Sequence, residues 1–161
     1  MQVIIDKLIA MDVHSPREEI VSFEEEPENM MFEMDVDGLE KSKKIHMKHP
    51  IADTFDVMME LMFKFVKDEC FKNDQFIWSR CQQLYNELMF IFENVILRTH
   101  ACHHVQFILF YICSFEKNLA HEFIKFLWLK VTSPSVPPVI RQTSVAYLSS
   151  YLARANYLGL R

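Results

Sequence analysis

The stretch RTHACHHVQFILFYIC, from Arg98 to Cys113, crowds His100, Cys102, His103 and His104 into five positions ahead of an apolar run. Imidazole and thiolate are ligands that zinc favours, and a thiol beside an imidazole is the pair from which a cysteine nucleophile is built. Both chemistries need a geometry that adjacency in sequence does not supply. No H-E-x-x-H occurs, and no second Cys/His pair stands at finger spacing. If the segment is helical, His100 and His104 share one face while Cys102 projects to the opposite one. The residues therefore point to neutral histidines in a contact network at the start of a helix. A metal- or thiol-dependent enzyme built on His100, Cys102 and His104 is the rival reading. No catalytic residue, metal or cofactor is expected.

Other chemistries find less support. Gly38 and Gly159 are the only glycines, so neither a G-x-x-x-x-G-K loop nor a G-x-G-x-x-G turn can be formed. Three serines have the surroundings of modification sites: Ser22 precedes FEEE, while Ser15 and Ser133 each precede a proline. Phosphate at any of them adds about -1.5 to -2 charge. Cys70, Cys81, Cys102 and Cys113 follow no C-x-x-C spacing and read as free buried thiols.

The elements that must position these groups are helical. In a chain of 161 residues, 50% hydrophobic and poor in glycine, one sizeable core built from helices is expected. The net charge of -5 is unevenly spread, because Glu18 to Glu40 hold ten carboxylates and no lysine or arginine. Such a stretch cannot offset its ordering entropy by burial, so residues 12–49 read as a long acidic disordered loop that repels nucleic acid. No direct sequence-specific nucleic-acid binding is expected. The opening MQVIIDKLIAMDV has charges inside its apolar run and no cleavage site, which makes residues 1–11 a short helix. Residues 99–115 are too short an apolar run to span a bilayer, and the chain reads as soluble and intracellular, with no membrane contact.

Residues 50–161 read as further helices. One opens at Pro50, with Ile51, Phe55, Met58, Met62 and Phe65 on its apolar stripe, and Asn73-Asp74 mark the turn after it. The next, over 77–97, carries Trp78, Cys81, Tyr85, Leu88, Phe92 and Val95. A third starts near Thr99, whose hydroxyl is the expected N-cap, and is apolar nearly all round, so neighbours must cover it on more than one side. A fourth runs over 117–131. The last, from about Pro137 to Tyr157, places Val145, Leu148, Leu152 and Ala155 on one stripe, with Arg141 and Arg154 at its ends. The fold class expected is all-α: a HEAT-like α-solenoid fragment of five or six helices.

Several segments resemble the central portion of one known family. They are VIIDKLIAMDV, HPIADTFDVMMELMFKFVKDEC, THACHHVQFILFYICSF, AHEFIKFLWLKV and PPVIRQTSVAYLSSYLARANYL, and they lie in the family's order with the acidic stretch in its place. The family is that of the RNA polymerase I-specific transcription initiation factor. H-V-Q-F at 104–107, I-R-Q at 140–142 and Y-L-A-R-A at 151–155 carry most of the specificity. The resemblance implies a HEAT-repeat adaptor without enzymatic activity. Its implied partners are RNA polymerase I subunits and the promoter-bound core factor, and its implied place is the nucleolus of the nucleus. Since the family's proteins are several times longer, it also implies a fragment or shortened paralogue whose exposed solenoid ends could self-associate. Arg141, Arg154, His100 and His104 are the residues expected to meet a partner or fix repeat geometry.

Overall fold

A computed structural model of the chain describes residues 1–14, 50–99 and 102–158. Apolar residues recurring at steps of three and four make each long segment helical, and six α-helices form among the described residues. They are α1 (Gln2–Val13), α2 (Pro50–Cys70), α3 (Trp78–Asn94), α4 (Gln106–Cys113), α5 (Lys117–Thr132) and α6 (Pro138–Arg154). A 3-10 turn, Ile96–Arg98, follows α3. Proline opens both α2 and α6, where its missing N–H forfeits no bond.

The all-α class holds, with one small addition. Between α2 and α3, Phe71–Lys72 pairs antiparallel with Gln75–Phe76. The turn residues Asn73 and Asp74 have φ of 51° and 58°. Two successive left-handed residues make the hairpin turn that suits strand twist, and asparagine and aspartate tolerate that conformation better than other non-glycine residues.

Each helix packs chiefly on its neighbours in the chain: α1 on α2, α2 on α3, α3 on α4, α4 on α5 and α5 on α6. This serial stacking is that of an α-solenoid segment. α4 also meets α2, and so has partners on three sides. Its Ile108, Leu109, Phe110, Ile112 and Cys113 are accordingly all buried. At the centre of the core lies Phe123, fully buried, with Phe92 edge-on at 5.3 Å and Tyr151 at 5.0 Å.

Two stripes differ from the sequence reading. In α2 the buried face is Ala52, Phe55, Met59, Met62, Val66 and Cys70, whereas Ile51 and Phe65 are 43% and 41% exposed. The helix carries two apolar faces, and periodicity cannot choose between them. The outer face, with Met58, Leu61 and Phe65, joins Ile4 of α1 to wall an apolar groove of about 360 Å³. Of the expected last stripe, Ala155 is buried just past the helix end, but within α6 the buried residues are Ser144, Tyr147 and Tyr151, and Val145 is exposed. Tyrosine can bury its ring and still satisfy its hydroxyl: the Tyr151 and Tyr157 hydroxyls lie 2.6 Å apart. All four cysteines are free and buried. No described helix is long and apolar enough to cross a membrane.

Candidate protein-interaction site at the start of α4

Thr99 does not cap α4. Its Oγ1 donates to the Val95 carbonyl at 2.9 Å and so closes the preceding 3-10 turn, and the helix begins seven residues later at Gln106. No side chain of the expected N-cap serves α4. Its free amides are met from a distant helix. The Asp12 carboxylate of α1 accepts from the backbone N–H groups of His103, His104 and Val105 at 2.9, 2.8 and 3.2 Å. It also accepts from the Cys102 thiol at 3.3 Å and lies 2.7 Å from His104 Nδ1. A carboxylate at a helix start satisfies orphan donors and faces the positive end of the helix dipole.

Asp12 is only 4% exposed. Burial alone would raise its pKa, but the bonds from the His104 ring, the His104 backbone and Cys102 hold it down at about 2. Cys102 moves the other way, pushed up to about 12 by burial and then by the Asp12 charge, so it is a protonated donor at neutral pH rather than a nucleophile. The expectation that Cys102 and His104 project to opposite sides is thus corrected. Neither sits on a helix, and both converge on Asp12. His100 lies outside the described residues. Among those described, no group of three or more potential ligands is placed to hold a metal ion.

The pKa of His104 is raised, chiefly by its bond to Asp12, with burial opposing. Its stabilising contribution is present in full below the ordinary value of 6.5 and is lost as pH rises through the higher folded-state value. Urea midpoints should therefore fall from pH about 6 to about 8.5, and His104→Gln should flatten that fall. An equal slope in both proteins would show that His104 is not the titrating group.

Beside this junction, two clefts meet at Phe107 and Arg154, which line both. The larger, about 540 Å³, is the more polar of the two, with Thr99, His103, Gln142, Thr143 and Ser150 around its walls beside Val139, Ala146 and Tyr147. The smaller, about 260 Å³, is aromatic, with Phe63, Phe110, Tyr111, Tyr151 and Tyr157. Arg154 Nη1 donates to the Ser150 carbonyl and hydroxyl at 3.0 and 2.9 Å, and the guanidinium rests 5.2 Å above the Phe107 ring. Gln106 is 5% exposed, and its Oε1 has no partner among the described residues.

A family model described as RNA polymerase I specific transcription initiation factor RRN3 matches residues 1–160. The chain belongs to this family. RNA polymerase I-specific transcription initiation factor RRN3 of Mus musculus is 33% identical over 99% of this chain. The matched region is 27% of the mouse protein, so the chain spans about a quarter of that relative's length. The Schizosaccharomyces pombe protein of the same description is 32% identical over 47% of this chain and 12% of its own length.

The remaining residues marked in the sequence of this RRN3-family chain are dispersed. Arg141 Nε donates to the Val131 carbonyl at 3.0 Å, tying α6 back across the loop to α5. Ser133 lies in that loop, 2.9 Å from the Ser135 hydroxyl. Ser15 and Ser22 fall outside the described residues. Sequence reasoning missed Asp12, assigning it to the acidic stretch. The signal was there, since Ile5, Leu8, Ile9 and Asp12 occupy steps i, i+3, i+4 and i+7 of one helical face. Gln106 was also missed, as an amide inside an apolar run.

Proposed function

We propose that this chain serves RNA polymerase I initiation as a non-enzymatic adaptor, linking polymerase I subunits to the promoter-bound core factor in the nucleolus. The family match across residues 1–160 carries this reading. The site chemistry supports it, because the one cysteine of the His/Cys cluster is held as a thiol and used as a hydrogen-bond donor. The helices act as scaffold. Arg154, at the mouth of two clefts, and His104, at the α1–α4 junction, are the residues of this proposal closest to a partner surface. Arg141 fixes the geometry of the last helical pair. Phosphorylation at Ser15, Ser22 or Ser133 would change the charge that a partner meets.

A pull-down from nuclear extract with the tagged chain tests the reading. Polymerase I subunits and core promoter factor should both be recovered above a tag-only control. Recovery of neither by a chain whose circular dichroism shows folded helices would overturn the adaptor role for this segment.

A further inference from the structure

We propose that the paired clefts flanking Arg154 bind a short acidic peptide segment of a partner protein, one that carries an aromatic residue beside its carboxylates. This rests on the reading of the chain as a protein-binding adaptor and names the chemistry of one partner element.

The clefts differ in what they offer. No aspartate or glutamate among the described residues lines either one, although the chain as a whole is acidic. Arg154 stands at their shared edge with Nε and Nη2 unpaired among the described residues, held by Ser150 and by the face of Phe107. A guanidinium fixed in this way retains the planar fork that receives a carboxylate. The more polar cleft adds the hydroxyls of Thr143 and Ser150, two turns of α6 apart, and the Gln142 amide beside the first. The adjoining cleft is walled by Phe63, Tyr111 and Tyr157, a lining suited to an aromatic side chain. A nucleic acid would place phosphates on the same arginine, but one guanidinium without a basic stripe is a poor footprint for it.

Fluorescence anisotropy with a fluorescein-labelled peptide repeating Glu-Asp-Phe tests the proposal on the full chain. The probe should bind, weaken as salt rises from about 50 to about 300 mM, and lose about tenfold in affinity with Arg154→Glu. Arg154→Lys should keep part of the affinity. Gln142→Glu adds charge to the polar cleft at an exposed position, and should weaken binding even if Arg154→Glu proves unstable. Equal binding of a Lys-Ser-Phe repeat, or unchanged affinity in both charge-reversing variants, would overturn the proposal. A full chain with Glu24, Glu25 and Glu26 changed to glutamine guards against an internal occupant. Unchanged probe affinity in that chain favours a partner, and several-fold tighter binding overturns the partner assignment in favour of the chain's own acidic stretch. Polymerase I captured without probe binding sinks this inference alone, whereas probe binding without polymerase I capture sinks the adaptor reading.

Discussion

Asp12→Ala should destabilise the protein by about 3–5 kcal/mol, measured by urea denaturation at pH 7. The substitution strips the acceptor from three backbone amides, a thiol and an imidazole at once, in a site where Asp12 itself is 4% exposed. Each buried donor left unmet costs about 1–3 kcal/mol, although water entering the space will recover part of that. Asp12→Asn keeps one acceptor oxygen but removes the charge, so its loss should be intermediate. The acid limb of the stability curve supplies an independent check. A group whose pKa is depressed stabilises the fold above its ordinary value of 3.8 and loses that contribution as pH falls through about 2. The alanine variant should lack this component. A loss below about 1 kcal/mol in Asp12→Ala would mean that α1 is held by its apolar contacts alone.

Phe123→Ala should be comparably severe, at about 3–5 kcal/mol in the same assay. The ring is fully buried and meets Phe92, Phe110 and Tyr151 from α3, α4 and α6 at centroid distances of 5.3, 5.8 and 5.0 Å. Four helices thus share one side chain, and none can close the space without losing another contact. Phe126→Ala, one turn on and half-buried on the same helix, is the natural comparison and should cost clearly less. Equal losses would mean that the core relaxes around the vacated volume.

Element type was legible in the sequence wherever periodicity was strong. α3 and α5 run over Trp78–Asn94 and Lys117–Thr132, close to the spans expected from their apolar steps and flanking turns. What periodicity could not give was the choice of face. α2 has apolar residues on two sides, and only the presence of α1, α3 and α4 decides that Met59 and Val66 go inward while Leu61 and Phe65 stay out. In α6 the expected stripe holds at Ala155 but not at Val145, because Ser144, Tyr147 and Tyr151 turn inward, Tyr151 with a hydroxyl partner in Tyr157. The start of α4 failed for a related reason. A local N-cap was sought at Thr99, whereas the donors are satisfied by Asp12, some ninety positions upstream. Cys102, His103 and His104 do gather in one network, but the carboxylate at its centre is distant in sequence and close only in space, and its bond to His104 favours the protonated imidazole over the neutral one expected.

The grip of Asp12 on the start of α4 also separates the length of the chain from the shape of the fold. α1 is fastened to α4 and packed on α2, so residues 15–49 join two points whose relative position is fixed by contacts made elsewhere. The register of the stack is thus set by pairs of residues far apart in sequence, not by the length of chain between them.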